Sequence, residues 1–522
     1  MANNISSASS FRSSQPDLDT VTDYTPRQST SSSLARTLVE STPLLPPKRP
    51  KHEDQPHTFA EIKEEAWFML GYAVPIFGTQ MLEYSLSVVP VIAIGHISTQ
   101  ALAASSLGSM TASVSGLSII YGFTSALDSL LPQAWTSDNP RDVGLWAQRM
   151  TVLIYMIMVP IVAIWLNAEW ILLKLRQEPD IAHMAGIYLR WFALSLPGQA
   201  ITVISRRYFQ AQGLMHVPTI ITIIIAPLNA LLNYILVWGP KPINIGFVGA
   251  PIASSISYTL MAITSVLYAY FFVPSTAWHP ITSSSFRELP RLFKLGLSGT
   301  GQIASDWWSW EIVALAASQL GPLALASQSV LLVSSSIAYQ TPFSLGTATS
   351  VRVGNMLGLG HAKRAKLAAE TSIGMSFVTA IIQSSIFMIF RHNWARLFND
   401  DKEVISLVAS VLPLVALFQI VEGVTCVTDG VLRARGMFLF GALVNVCAYY
   451  VIGIPMGVAL AFWAYLGLKG LWIGLTAALF FAATVSVWLV SRTDWEKEVE
   501  RTKERLDRDD ESEDEGSSIS EA

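Results

Sequence analysis

Two acidic residues lie close together in an apolar stretch of this 522-residue chain, in the run Ala304-Ser-Asp-Trp-Trp-Ser-Trp-Glu-Ile-Val313. A carboxylate at bilayer depth costs about 3 kcal/mol on insertion scales, so it persists where it binds a cation, holds a proton or faces a wet cavity. On one helix, Asp306 and Glu311 point about 140° apart and cannot share a single proton directly. The pair therefore indicates a site that takes up a cation or a proton.

The composition places this pair in a membrane. The chain is 51% hydrophobic and 14% charged, whereas soluble proteins carry about a quarter charged residues. Twelve apolar runs approach or exceed the roughly 20 residues that span a bilayer as a helix. These features predict an all-α polytopic membrane protein. The predicted spans are 66–92, 103–131, 145–167, 184–205, 217–238, 248–273, 291–319, 324–350, 366–390, 404–428, 438–462 and 468–491.

The membrane region contains an internal repeat at an offset of about 222 residues. Two six-helix repeats in the same orientation are related by an axis along the membrane normal, and transporters built this way bind substrate between their halves. We therefore predict twelve transmembrane helices in two six-helix pseudo-symmetric lobes. The aligned segments are Ser125–Ala134 with Thr347–Met356, Tyr208–Gly213 with Val431–Gly436, and Gly246–Ile252 with Gly467–Ile473.

Four regions follow from this pattern. Residues 1–60 are rich in Ser, Thr and Pro and are expected to be a disordered cytosolic tail. The N-terminal lobe is predicted at 61–275 and the C-terminal lobe at 276–493. Residues 494–522 form a cytosolic acidic tail, whose mixed-charge beginning can continue the last helix.

The placement of Lys and Arg predicts that both termini face the cytosol, since cytoplasmic loops carry an excess of these residues. The predicted inward connections hold the basic residues Arg141, Arg149, Arg206, Arg207, Arg287, Arg291, Lys294, Arg352, Lys363, Arg364, Lys366, Arg433 and Arg435. In the N-terminal tail, Glu40-Ser-Thr-Pro-Leu-Leu45 is typical of an acidic dileucine sorting signal. It favours the vacuolar membrane slightly over the plasma membrane.

Four stretches carry a resemblance to a known family along almost all of residues 60–491. They are Gly95-His-Ile97, Ala126-Leu-Asp-Ser-Leu-Leu-Pro-Gln-Ala134, Ser350-Val-Arg-Val-Gly-Asn-Met-Leu-Gly358 and Gly430-Val-Leu-Arg-Ala-Arg-Gly436. Through them the chain resembles the multidrug and toxic compound extrusion (MATE) family, in its eukaryotic, fungal-type branch. The resemblance implies export of organic cations or xenobiotics in exchange for protons, by a protein that works as a monomer.

The resemblance also implies which acids couple substrate to protons. The family's seventh helix carries a pattern close to E-x-W-x-x-E and its tenth helix a further acid. Glu311 matches the second acid of that pattern, and Glu422 falls at the tenth-helix position. Asp306 replaces the first glutamate with a shorter side chain.

Other residues are candidates for the cavity. Glu83 is an acid in the first span, where a structural role is equally open. The aromatic faces of the tryptophans beside the acids can attract a cation, although aromatic residues in membrane helices more often only pack. These candidates are Glu83, Trp307, Trp308, Trp310, Tyr339 and Gln340.

Several function classes remain open or are disfavoured. The main expectation is proton antiport of a cationic small molecule, with sodium not excluded as the coupling ion and no cofactor required. An exporter of an amino-acid derivative or anionic metabolite is the alternative, and a lipid-linked substrate flippase is less favoured because the candidate residues are acidic. An enzyme is not expected, since no nucleophile or metal-ligand spacing is present. Partners other than the bilayer and substrate are not expected, and nucleic acid is excluded because no basic patch with aromatic residues occurs.

Overall fold

The computed structural model of the chain describes residues 58–240, 242–398 and 401–520, with side chains up to 508 in the last of these ranges. The described residues belong to one compact unit, His57–Ala522. The predicted disordered tail up to residue 57 and its dileucine signal lie outside the described residues. The long helices, labelled α1 to α13 in chain order, are Phe59–Gly95, Thr99–Trp135, Asp142–Leu166, Pro179–Ala211, His216–Trp238, Gly246–Phe272, Leu289–Gln319, Pro322–Gly358, Ala362–Phe390, Lys402–Ala434, Phe438–Trp463, Leu468–Ser491 and Trp495–Ser520.

Eleven of the described helices are long and apolar enough to cross a membrane. The exception within the repeat is α7, which has 31 residues and is long enough, but carries Asp306, Glu311 and several Ser and Gln residues. With α7 included, the twelve-span prediction is confirmed. The helix that is least like a lipid-facing segment is thus the one that carries the acidic pair.

The helices begin and end where local sequence signals place them. Thr58 and Glu61 form a capping box at the start of α1, in which each side chain accepts a hydrogen bond from the other residue's backbone N–H. At the far ends of α4 and α10, Gly213 and Gly436 adopt φ values of 78° and 72°, which a side chain would disfavour. These two glycines align in the repeat, so its two halves end equivalent helices in the same way. Most helices extend a turn or two beyond the predicted spans.

Two separate hydrophobic cores support the two lobes. One consists of buried residues between Leu86 and Leu292, and the other of buried residues between Val313 and Ala483. A smaller cluster joins α1, α5, α8 and α10 across the lobes, and it contains Met69, Ile76, Met215, Leu345, Ala348, Val351 and Val427. Each lobe therefore has its own main core, and this cluster adds apolar contact between the lobes.

Polar contacts between the lobes concentrate at the end of the bundle where α1 begins and α12 ends, which we call the closed end. Gln133 Nε2 of α2 donates to the backbone carbonyl of Ala434 at 2.7 Å. Its repeat counterpart, Asn355 of α8, donates to the carbonyl of Ala211 at 3.5 Å. Ser350 adds a bond to the carbonyl of Asp128 at 3.3 Å. The closed end is thus sealed by contacts that follow the pseudo-symmetry.

A buried ion pair strengthens the same seal. Glu65 of α1 accepts two hydrogen bonds from Arg352 of α8, at 2.6 and 2.9 Å. The guanidinium carbon of Arg352 also lies 3.9 Å from the ring centroid of Phe68. Glu65 is only 3% exposed, so this pair is shielded from water and its geometry is well defined.

The last helix, α13, packs beneath the second lobe at the closed end. It starts at Asp494, whose carboxylate accepts a hydrogen bond from the backbone N–H of Lys497 at 3.2 Å, which lowers the pKa of Asp494. Glu498 is 4% exposed and pairs with Arg435 at 3.2 Å. The mixed-charge stretch is therefore helical, but it forms a separate helix after a break at residues 492–494 and does not continue α12.

Candidate functional site

A cavity of about 360 Å³ lies between the lobes, on the inner side of the closed end. Helices from both halves of the repeat line it, as the alternating-access arrangement requires. Four carboxylates and three guanidinium groups face it: Glu83, Asp128, Asp306, Asp429, Arg206, Arg207 and Arg433. So many ionisable groups within a bundle of apolar helices make this cavity the candidate functional site.

The two first-lobe carboxylates that face the cavity are each paired with arginine. Glu83 forms an ion pair with Arg206, whose other terminal nitrogen donates to Gln80 at 3.0 Å. Asp128 accepts a hydrogen bond from Arg207 at 2.7 Å, and it also lies 3.5 Å from Arg433 of the second lobe. Because these charges are compensated, Glu83 and Asp128 hold structure together in this conformation and are not free to exchange a cation.

The carboxylates of the second lobe are in a different condition. Among the described residues, neither Asp306 nor Asp429 forms an ion pair, and Asp429 Oδ1 has no hydrogen-bond donor. The Tyr449 hydroxyl lies in hydrogen-bonding contact with Asp306, and the Gln302 side chain lies beside Asp429. Asp429 also interacts with the charge of Arg433. Asp306 contacts the neutral Tyr449, which solvates the carboxylate without cancelling its charge, so Asp306 is the acid that remains available to a cation or a proton.

Glu422 lies behind Asp306 and does not line the cavity. It is 8% exposed and accepts a hydrogen bond from Gln419 at 2.8 Å, while Gln419 also donates to Ser335 at 3.0 Å. The charge of Glu422 is close enough to Asp306 for the two carboxylates to interact. Two neighbouring carboxylates repel one another when both are ionised, so a proton on one is coupled to the charge of the other.

An irregular segment of α11 places the hydrogen-bonding partner of Asp306. Residues Cys447–Gly453 form a π-helical segment, and Pro455, two residues further on, cannot donate a backbone hydrogen bond to the preceding turn. This segment sets Tyr449 against Asp306 and lets Tyr450 donate to the Ser305 carbonyl at 3.1 Å. Such π-segments are frequent at functional sites.

A second close contact with α11 holds the turn of α7 that carries Gln302. The side chain of Gln302 lies where a Cβ at Gly441 would be, within 2.6 Å, and Asn445 donates to the Gln302 carbonyl at 3.4 Å. A Cβ at position 441 would have to displace the Gln302 side chain, so the glycine lets α11 lie against this side chain. The cavity face of α7 is therefore held by α11.

The predicted site residues fall into three groups. Asp306, Glu83, Trp307, Tyr339 and Gln340 line the cavity, and Glu422 lies next to it. Glu311, Trp308 and Trp310 do not line it.

The positions of those three residues have clear physical reasons. Glu311 is half-buried one and a half turns from Asp306 on α7, so it points in another direction. Trp308 is 42% exposed and donates to the Val114 carbonyl at 3.3 Å. Trp310 packs against Phe418 and Trp472, with ring centroids 5.6 and 5.8 Å away.

Sequence reasoning missed the basic side of the cavity. The sequence predicts inward connections for three arginines, Arg206, Arg207 and Arg433. In the structure they lie within α4 and α10, and their side chains line the cavity. The prediction was wrong because a span predicted from apolar composition stops at the first charged residue. The helix itself continues past that residue when its charge is paired. The signal that could have found them is Glu83, an acid in the first span that requires a cation partner.

Among the residues for which the structure gives side chains, no group of three or more His, Cys, Asp or Glu residues is placed to hold a metal ion. A two-lobed bundle with a charged cavity at the lobe interface is the architecture of a membrane transporter.

Comparison with known proteins identifies the family. The MatE family model matches residues 75–235 and 301–459, and the chain belongs to this family of multidrug and toxin extrusion transporters. An uncharacterized transporter of Schizosaccharomyces pombe is 36% identical over 454 residues, which cover 86% of this chain and 84% of that protein. Mouse multidrug and toxin extrusion protein 2 is 31% identical over 446 residues, covering 85% and 77%. The crystal structure of the eukaryotic MATE transporter AtDTX14 has a TM-score of 0.81 and 30% identity, covering 85% of this chain and 100% of that one.

Proposed function

We propose that this protein exports organic cations in exchange for protons. The observation that supports the proposal is the contrast between the lobes: the two cavity acids of the first lobe, Glu83 and Asp128, are paired with arginines, whereas Asp306 faces the cavity and has no ion pair among the described residues. The mouse relative is a multidrug and toxin extrusion protein, and Protein DETOXIFICATION 17 of Arabidopsis thaliana is 31% identical to this chain over 452 residues; both names agree with an exporter.

The mechanism rests on competition for one carboxylate. Asp306 binds either the cation or a proton. Once either has neutralised the buried carboxylate, no negative charge remains to attract the other. A proton that arrives from the acidic side displaces the cation there. The neutral site then returns to the cytosolic side, releases its proton and accepts the next cation. Glu422 contributes through its proximity to Asp306, because its own charge alters the free energy of protonating Asp306.

The direction of transport depends on the orientation of the bundle. The basic residues remaining in the connections and tails favour the closed end as the cytosolic end. The structure then corresponds to a state in which the contacts of Gln133, Asn355 and Glu65 separate the cavity from the cytosol. A vacuolar lumen or the cell exterior supplies the acidic side, and the dileucine sequence favours the vacuole.

The test uses purified protein in liposomes with an acidic interior and follows accumulation of ethidium, a permanent organic cation. Wild type should accumulate ethidium, and collapse of the pH gradient should release it. Asp306→Asn should abolish accumulation because the asparagine cannot exchange a proton. The matched control is Glu370→Gln, an exposed acid of α9 beside Lys366 that does not line the cavity.

Three further measurements distinguish the proposed function from its alternatives. Accumulation by Asp306→Asn equal to that of wild type would contradict the proposal. Accumulation driven by an imposed sodium gradient, in place of the pH gradient, would show that sodium and not the proton is the coupling ion. Glu311→Gln, measured in parallel, shows whether an acid outside the cavity lining also contributes to coupling.

A further inference from the structure

A second concave site, which we call the outer crevice, lies on the first lobe between the last turns of α1 and α5. It has a volume of about 440 Å³. Both helices begin near the closed end, so the outer crevice lies at the opposite end of the bundle. Its apolar walls are formed by Val89, Ile92, Ala93, Ala230, Tyr234 and Trp238.

The outer crevice faces away from the central cavity. Ser87 of α1 lines the cavity, whereas Ile92 and His96 line the outer crevice and are turned from Ser87 by about 140° and 180° at 100° per residue. Ile92, Tyr234 and Trp238 are exposed in the chain. Apolar side chains exposed on a membrane-spanning helix contact lipid, and Tyr and Trp collect where the bilayer meets water. The outer crevice therefore opens to the bilayer near one of its interfaces.

Hydrogen bonds within the protein fix the shape of the outer crevice. Trp238 Nε1 of α5 donates to the Ala93 carbonyl of α1 at 3.1 Å, which joins the two walls. Asn233 is buried at the floor, and its side-chain amide donates to the Asn229 carbonyl at 2.9 Å. The outer crevice is thus formed before a ligand enters, and such a site favours a ligand that is itself rigid.

His96 supplies a polar group at the rim. Its Nδ1 donates to the Ile92 carbonyl at 2.9 Å, so Nε2 is the nitrogen left for a ligand. Nε2 accepts a hydrogen bond when the ring is neutral and donates one when the ring is protonated. A hydroxyl group can both donate and accept, so it suits His96 in either state.

The charge of the lining excludes a phosphate headgroup as the preferred partner. Among the described residues that line the outer crevice, none is Lys, Arg, Asp or Glu. A phosphate binds where Arg or Lys compensates its charge. The lining therefore selects a lipid whose head is neutral and small.

We infer that the outer crevice binds a sterol, with the fused rings between α1 and α5 and the hydroxyl group at His96. A fused ring system has little conformational freedom to lose on binding, whereas an acyl chain loses much. A bound sterol would hold the outer turns of α1, a helix that also lines the central cavity, against α5. This site is separate from the proposed transport site and does not depend on its substrate.

The test uses photolabelling of the full-length protein in phosphatidylcholine nanodiscs that contain a sterol with a diazirine on its rings. Mass spectrometry of the digested protein locates the label. Labelling should concentrate in residues 89–96 and 230–238. Ergosterol in about tenfold molar excess should reduce labelling at least about fivefold, as competition for one site predicts.

Two variants probe the rings and the hydroxyl separately. Ala230→Trp fills the outer crevice and should reduce labelling at least about tenfold, because the volume for the rings is lost. Its control is Ala163→Trp, at an exposed alanine of α3. His96→Ala removes one hydrogen bond and should reduce affinity by about three- to tenfold. Its control is His392→Ala, at an exposed histidine after α9. Both controls should label as wild type does.

Several results would overturn the inference. They are label spread evenly over the lipid-facing helices, label that excess ergosterol does not reduce, and equal labelling of wild type and Ala230→Trp. Equal competition by added phosphatidylcholine would show an acyl-chain site in place of a sterol site. If Ala230→Trp does not fold, an unchanged affinity in His96→Ala, together with undiminished labelling in Ala93→Phe, would contradict the inference in the same way.

Discussion

Gln133 of the first lobe donates a hydrogen bond to the Ala434 carbonyl of the second lobe, and the repeat places Asn355 against Ala211 in the same relationship. Both carbonyls lie at the last turn of a helix, where backbone acceptors have no partner within the helix. Each lobe thus satisfies the helix end of the other. Opening of the closed end must break both bonds together, which links the movement of the two lobes.

The ion pair of Glu65 with Arg352 should stabilise this closed state. Glu65→Gln removes the charge and one of the two strong hydrogen bonds, so the closed end should open more often. In a background without Cys426 and Cys447, a cysteine introduced at Val351, in the interlobe cluster, should react several times faster with a water-soluble maleimide. Glu64→Gln, at the exposed neighbouring position, should leave the rate unchanged; an equal increase in both variants would refute a specific role of the pair.

Glu422 should affect transport more than binding. It does not line the cavity, but its carboxylate interacts with that of Asp306. Glu422→Gln retains the shape and the hydrogen bond from Gln419, so ethidium affinity should change by less than about threefold, while gradient-driven accumulation falls at least about tenfold. Equilibrium binding and liposome uptake on the same preparation measure the two effects. Parallel loss of both would place Glu422 among the binding groups.

The contact between α8 and α10 should not tolerate a side chain at Gly430. A Cβ there would overlap the backbone carbonyl of Gly346, and such overpacking costs typically about 1–3 kcal/mol. Gly430→Ala should therefore lower the thermal unfolding temperature and reduce transport. Gly374→Ala is the matched control, because a Cβ at that helical glycine meets no atom within 4 Å. Equal behaviour of the two variants would show that the contact is not tight.

The docked helix α13 should depend on Glu498. This residue pairs with Arg435 at 3.2 Å and with Arg501 at 2.7 Å. Glu498→Gln leaves the buried Arg435 guanidinium without its counter-charge, and removal of one partner of a buried pair is destabilising. We expect faster proteolytic release of the C-terminal segment, measured by limited trypsin digestion. Glu500→Gln, at an exposed position of the same helix, should digest at the wild-type rate.

The sequence could predict the lobes because apolar runs and a repeat are local patterns. It could also predict Asp306, since an acid within an apolar helix needs a partner or a function. It could not separate Asp306 from Glu311, because which of them faces the cavity depends on how α7 packs against α2 and α11. The role of Tyr449 depends on a π-helical segment, and the pairing of Asp128 with Arg433 depends on contact across the lobes. Neither leaves a pattern in a single sequence.

Competition between a cation and a proton at Asp306 is the central claim, and proton release on binding tests it most directly. Ethidium binding to the purified protein would be measured by isothermal titration calorimetry near pH 6 in two buffers with different heats of ionisation. The difference in observed heat gives the number of protons released. Wild type should release protons on binding, and Asp306→Asn should release none through this site. Binding of ethidium to wild type without any proton release, or undiminished release from Asp306→Asn, would contradict the account.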